Sequence, residues 1–206
     1  ATGGGMGGGA MQGGGKGRGG PDPRNLRSSR AIYVGNLPNS VTVSDLASLG
    51  TPWGLIEQVR FMPNQSYGFI TFVEEGHAIA FLEAGQSGRV NLRNNRLNLN
   101  WAKSQALDPK VASAVEGGAT RHLHVGNISD ETTHKQLGDL FSQFGELEGI
   151  EQLPGQGAAL VYYTAIMNAV GAKEALHGVA IGGNAQWKLQ VTFHRPPNLG
   201  SMLGSS

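Results

Sequence analysis

The tetrapeptide Tyr33-Val34-Gly35-Asn36 returns 91 residues later as His124-Val125-Gly126-Asn127. At the same offset Gly54 meets Gly145 and Phe72 meets Tyr163. A constant offset across three landmarks marks a duplicated unit rather than chance. The 206 residues therefore divide into two small domains of one kind, and a fold that suits one copy must suit the other.

Each copy reads as strand, helix, strand, strand, helix, strand. In the first, Ile32 and Val34 alternate inward and leave Tyr33 outward. Thr42, with Asp45 three residues on, caps a helix carrying Leu46, Leu49 and Trp53. Strands follow over 55–62 and 66–72, with Pro63-Asn64 opening the turn between them. A second helix is predicted from Glu74 to Ala84 with Ala78, Ile79 and Leu82 inward, and a last strand from Arg96 to Trp101. In the second copy Thr133 and Gln136 cap a helix with an apolar stripe of Leu137, Leu140, Phe141 and Phe144. Its second helix is predicted over Thr164 to His177, stopped by Gly178, and its last strand over Lys188 to His194.

The strand Tyr67-Gly68-Phe69-Ile70-Thr71-Phe72 carries the chemistry. Gly68, Ile70 and Phe72 share the inner face with Ser66, so Tyr67 and Phe69 stand together on the outer one. With Gln65 and Ser66 before it, this segment resembles the third-strand signature of an RNA recognition motif, and Ile32 to Leu37 resembles that motif's first strand. The resemblance implies that the two strands are central neighbours. Tyr33, Tyr67 and Phe69 then occupy the family's three base-stacking positions. Outward residues of the flanking strands, Arg60, Met62, Asn98 and Asn100, are candidates for reading base edges, and Lys103 for a base or a phosphate. For each of these polar residues an ordinary solvated surface is the other reading.

Residues 105–120 join the copies. Asp108-Pro109 is a cap followed by proline at the first helical position, and Gly117-Gly118 is a stop, which predicts a helix from Pro109 to Glu116. About two turns are marginal alone. Either Val111, Ala114 and Val115 dock on a domain and fix the two sheets, or the segment is a tether. Trp101-Ala102-Lys103-Ser104, Asp108-Pro109-Lys110-Val111-Ala112 and Gly118-Ala119-Thr120-Arg121 resemble the inter-domain segment of a fungal multi-motif mRNA-binding family, which includes the negative regulator of sexual differentiation. That resemblance covers roughly residues 31–165. It implies post-transcriptional control of mRNA, and also that this chain is a piece of a longer protein, as its start on Ala1 suggests.

The second copy departs from the pattern. His124, Ala158 and Leu160 stand at its stacking positions, so two of three rings are missing. Tyr162 shares the outward face by parity, and His124, Tyr162 and His194 offer one or two weak stacks. Glu146, Glu148 and Glu151, on or near the second strand, oppose phosphate. This copy reads as a weak RNA binder or as a protein-binding or orienting module. A face of Ala158 and Leu160 suits cover by the linker or by a partner protein.

The net charge of +1 conceals an asymmetry. Lys16, Arg18, Arg24, Arg27 and Arg30 stand against Asp22 alone in residues 1–30, whereas the second copy is net acidic. Residues 1–20 are mostly glycine and cannot bury enough apolar surface to order themselves. Gly-Lys-Gly-Arg-Gly-Gly reads either as a weak RNA-binding arm or as a flexible linker.

No cysteine is present, which excludes disulfides and thiolate metal sites and fits an intracellular protein, the cytoplasm ahead of the nucleus. No apolar run reaches the roughly 20 residues a bilayer span requires, so no membrane partner is expected. The six histidines lack metal-ligand spacing and no nucleophile elbow occurs. No catalytic residue, metal, cofactor or small-molecule substrate is expected.

The expected architecture is α+β: two ferredoxin-like βαββαβ RNA recognition motifs in tandem. Residues 1–29 form a disordered glycine-rich arm, 30–104 the first motif, 105–120 the linker, 121–196 the degenerate second motif and 197–206 a disordered tail. The expected function is binding of single-stranded RNA, chiefly mRNA, through the first motif. The alternative is a protein-interaction adaptor using the sheet face of the second.

Overall fold

The computed structural model describes residues 29–181 and 188–195, so the glycine-rich arm through residue 28 and the tail from 196 lie outside the described residues. The first unit runs β1 (Ala31–Gly35), α1 (Val43–Gly50), β2 (Ile56–Met62), β3 (Tyr67–Phe72), α2 (Glu75–Gln86), β4 (Asn91–Leu92), β5 (Asn95–Arg96) and β6 (Asn98–Ala102). A linker helix, α3 (Pro109–Glu116), leads to β7 (His122–Gly126), α4 (His134–Phe141), β8 (Leu147–Leu153), β9 (Ala158–Tyr163), α5 (Ile166–Leu176) and β10 (Gln190–Phe193). The sheets are antiparallel, in the orders β2-β3-β1-β6 and β10-β7-β9-β8.

The duplication extends into the side-chain bonds. Both first helices carry capping boxes, Thr42 with Asp45 and Thr133 with Gln136. Each satisfies orphan amides of the first helical turn. Arg30 pairs with Glu57 and donates to the Phe72 carbonyl; Arg121, 91 residues on, pairs with Glu148 and donates to the Tyr163 carbonyl at 2.7 Å. Asn36 and Asn127 adopt left-handed backbone at φ 61° and 59°. The amide of Asn36 donates to the carbonyl of Arg96, and that of Asn127 to the carbonyl of Lys188, each at 2.8 Å.

Each sheet buries one face under its two helices. Ile32, Val34, Ile70, Phe72, Leu46 and Phe81 are fully buried in the first core; Leu123, Val125, Val161, Tyr163, Leu137 and Ala172 are their counterparts in the second. A third, smaller core lies between the units. Val73 from the first, Val111 and Ala119 from the linker and Ile166 from the second are buried together, flanked by Leu55, Leu107, Val170 and Phe193. The linker is therefore docked rather than a tether. Its helix spans the expected Pro109–Glu116, with the Asp108 carboxylate accepting from the Lys110 amide at 2.8 Å.

Ile79, expected to face the sheet from α2, is exposed instead. Among the element boundaries that shift from expectation, two bear on the contacts that follow. Arg96 does not open the last strand of the first unit. Arg93 and Asn94 take left-handed backbone and fold Asn95–Arg96 back on Asn91–Leu92, so the strand starts at Asn98. The second helix of the second unit starts at Ile166, not Thr164. Ala165 is extended and forms an antiparallel bridge to Gln58, while the Thr164 carbonyl accepts the Val59 amide at 2.8 Å. The same start recurs in the first unit, where the extended Glu74 precedes α2 at Glu75, so the fold of each unit sets it: the Thr164 amide donates to the Glu146 carbonyl as the Val73 amide does to that of Leu55.

At Gly68 a side chain of α1 packs directly on the sheet. A Cβ there would lie 2.4 Å from Leu46 Cδ2 and 2.7 Å from the Arg60 carbonyl oxygen, which is backbone and cannot yield. Gly68→Ala should cost about 1–3 kcal/mol in urea unfolding. Gly76, inside α2 with nothing within 4 Å of such a Cβ, is the contrast. Gly76→Ala should stabilise by roughly 0.5–1 kcal/mol.

Candidate nucleic-acid interface

The inner-face residues of β1 and β3 determine where the outer ones go. Because Ile32, Val34, Ile70 and Phe72 are buried, Tyr33, Tyr67 and Phe69 stand half-buried on the opposite face. The register sets Tyr33 across from Phe69 and Gly35 across from Tyr67. The ring centroids form a near-equilateral triangle: Tyr33 to Tyr67 5.4 Å, Tyr67 to Phe69 5.6 Å and Tyr33 to Phe69 5.8 Å. The Tyr33 ring lies back over Gly35, where an added Cβ would be 2.6 Å from its hydroxyl. Glycine at this position keeps the ring down on the sheet.

The flanking candidates fall on the same face. Arg60 is registered with Phe69, Met62 with Tyr67, Asn100 with Tyr33 and Asn98 with Gly35. The Asn100 side-chain Nδ2 donates to Asn98 Oδ1 at 3.0 Å, which orients the pair. A cleft of about 1320 Å3 covers the three rings and takes in Arg60, Asn100 and Lys103; Met62 and Asn98 share the face but lie outside its lining. Sequence reasoning missed the other wall. The chain from Ser104 to Pro109 borders the cleft, and Gln58, Thr71, Ala31 and Ala102 line it too. Arg30 fixes this wall, its guanidinium donating to the Gln105 carbonyl at 2.9 Å while pairing with Glu57. The 91-residue offset held a signal for that pair, because Arg30 and Glu57 recur as Arg121 and Glu148.

The second sheet has a different outer face. His124 lies across from Leu160 and Thr192, Glu151 across from Leu160, and Ala158 is buried. The Tyr162 hydroxyl donates to the Glu151 carboxylate at 3.0 Å. Burial, that hydrogen bond and the charges of Glu151 and Glu148 push the phenol up to about 12. Its ring stands edge-on to His122 at 4.9 Å, so it is committed to a neighbour. His194 follows β10, its amide donating to the His122 carbonyl at 2.9 Å. The acidic barrier expected from Glu146, Glu148 and Glu151 is weaker than their number suggests. Glu148 is neutralised by Arg121 in a pair whose side chains are 9% and 3% exposed, and Glu151 is engaged by Tyr162. Linker helix α3 packs in the shared core and not on the Ala158 and Leu160 face.

His122 is the functional-looking residue that sequence reasoning left without a role. It is 8% exposed and neither ring nitrogen has a hydrogen-bond partner among the described residues. Burial, then the charge of Arg121, then His194, lower its pKa from 6.5 to about 3. Among the described residues no group of three or more metal-ligating side chains occurs, and no helix is long and apolar enough to cross a membrane. The folded ring is neutral, whereas the unfolded ring takes a proton near pH 6.5. Stability should therefore fall as pH drops from 6.5 towards 3, by up to about 1.4 kcal/mol per pH unit from this one group. Unfolding free energies from urea titrations at pH 7 and pH 5 should differ by about 2 kcal/mol more in the wild type than in His122→Phe.

Comparison with known proteins agrees with this geometry. The model of the RNA recognition motif matches twice, over residues 32–96 and 123–187. RNA-binding protein MRN1 of Saccharomyces cerevisiae is 29% identical over 157 residues, covering 72% of this chain and 26% of that protein. Meiotically up-regulated gene 24 protein of Schizosaccharomyces pombe is 29% identical over 154 residues, 74% of this chain and 23% of that protein. Cytotoxic granule-associated RNA binding protein tiar-1 of Caenorhabditis elegans is 26% identical over 164 residues, 74% and 38% respectively. The chain thus spans about a quarter of the length of the two fungal relatives just named. With two matched copies, each on a βαββαβ frame with the expected strand order, the chain belongs to the RNA recognition motif family.

Proposed function

We propose that the chain binds single-stranded RNA, with the face of β1 and β3 as its main contact, and that it acts on messenger RNA in post-transcriptional regulation. The observation that carries this reading is the triangle of Tyr33, Tyr67 and Phe69 on one sheet face, bordered by Arg60 and Lys103. Bases stack on such rings for about 1–3 kcal/mol each. The two cations offer phosphate contact, and the oriented Asn98 and Asn100 pair offers donors and acceptors to base edges. RNA binding in the names of the relatives supports the same reading. The second motif contributes less contact, since its ring positions hold His124, Ala158 and Leu160.

Two experiments test this. A random single-stranded RNA pool is titrated with wild type and with Tyr67→Ala/Phe69→Ala. The double variant should lose at least about 30-fold in affinity while remaining folded. Gly35→Ala, which lifts the Tyr33 ring, should lose less. An unchanged affinity in the double variant refutes the platform. Deleting residues 1–27 removes Lys16, Arg18, Arg24 and Arg27 against Asp22. It should weaken binding to all sequences alike and flatten the dependence on salt; selective loss of one sequence class is the contrary result.

A further inference from the structure

β2 is an edge strand of the first sheet, and it carries Arg60 and Met62. Its outer edge is not left to water. The Val59 amide donates to the Thr164 carbonyl at 2.8 Å and Gln58 bridges Ala165, so the second motif caps the strand. A second tie runs from the Ser44 hydroxyl to the Glu148 carboxylate at 3.1 Å, and Glu148 is itself held by Arg121. The cleft wall is anchored in the same place. The chain leaves β6 at Lys103, passes Gln105 on the Arg30 guanidinium, and enters the shared core at Leu107 and Val111. That core is closed only with Ile166, Val170 and Phe193 of the second motif. Remove the second motif and both the edge of β2 and the far end of the wall lose their support.

We propose that the second motif serves RNA binding by position rather than through its own sheet face: docked on β2 and on α3, it holds the edge strand and the linker wall of the first motif's cleft ready for RNA. Val111 and Ile166 are positioning residues in this arrangement. A wall ordered before binding spares the complex the cost of ordering it, which raises affinity without a new contact. This inference rests on the first motif being the RNA platform.

The test uses the full chain, a random single-stranded RNA pool and amide relaxation by NMR. Wild type should tumble as one body. Val111→Asp should release the motifs to tumble separately, shift the amides of Arg60 and Gln105, leave that of Tyr33 in place, and weaken RNA binding roughly tenfold. Val111→Ile should restore coupling and affinity together. His124→Ala/Leu160→Ala, which removes the weak contact of the second face, should lose less affinity than Val111→Asp and leave the motifs coupled. Should Val111→Asp unfold either motif, Val111→Ala must give a smaller loss of coupling and affinity in parallel. Separate tumbling with unchanged affinity overturns the proposal, as does separate tumbling of the wild type, or a loss in His124→Ala/Leu160→Ala as large as that of Val111→Asp. Failure of the platform is recognised independently: Tyr67→Ala/Phe69→Ala would then bind as wild type while the motifs stay coupled.

Discussion

Burial of Ile70 and Phe72 beneath the helices is the constraint on which the outer face depends. A strand has two faces, and side chains alternate between them. Once these two residues and their β1 partners Ile32 and Val34 are committed to the core, Tyr67, Phe69 and Tyr33 have nowhere to go but outward. The aromatic triangle is thus held by groups that never touch its solvent side. Gly68 belongs to the same scheme. It leaves room for Leu46 of α1 to pack against β3 between the two rings' positions. The interface is rigid because the core is close-packed, not because the rings pin one another.

The second copy uses the same frame for a different surface. The frame itself is kept: the Arg–Glu pair, the capping box, the left-handed asparagine and the bulge near the start of the second strand recur. The outer positions change. Tyr33, Tyr67 and Phe69 give way to His124, Ala158 and Leu160, while Ala31 gives way to His122. Exchanging a small residue for a buried imidazole, with no hydrogen-bond partner on either nitrogen among the described residues, costs stability at low pH. What remains of the aromatic character, Tyr162, is turned to Glu151 and His122. A surface whose polar groups already engage one another offers an incoming base less.

Much of this was legible in the sequence because two periodicities and one offset carry it. Alternation located the rings, Thr42-Asp45 and Thr133-Gln136 located the helix starts, and Asp108-Pro109 located the linker helix to the residue. What was not legible lies in contacts between segments far apart in the chain. No local pattern says that the Thr164 amide will be taken by the carbonyl of Glu146, across the sheet, and so the helical pattern overruns the start of α5. The left-handed pair Arg93-Asn94 carries no glycine to mark its turn, and so Arg96 was assigned to the wrong strand. The wall from Ser104 to Pro109 read as a connection because its apolar anchors, Leu107 and Val111, are meaningful only against Val73 and Ile166.

That last point bears on why a tandem pair would keep a copy with a weakened outer face. An exposed edge strand is a liability, with its unpaired amides and carbonyls open to another chain. A short helix such as α3 is marginal without a surface to pack on. The second motif answers both needs with one end of its fold: Thr164 meets the edge amide of Val59, and Ile166, two residues further on, fills the cluster that holds Val111. The residues doing this lie at the β9 to α5 junction, away from the outer sheet face. The outer face can therefore lose its rings, and the junction still fixes the second motif against the first.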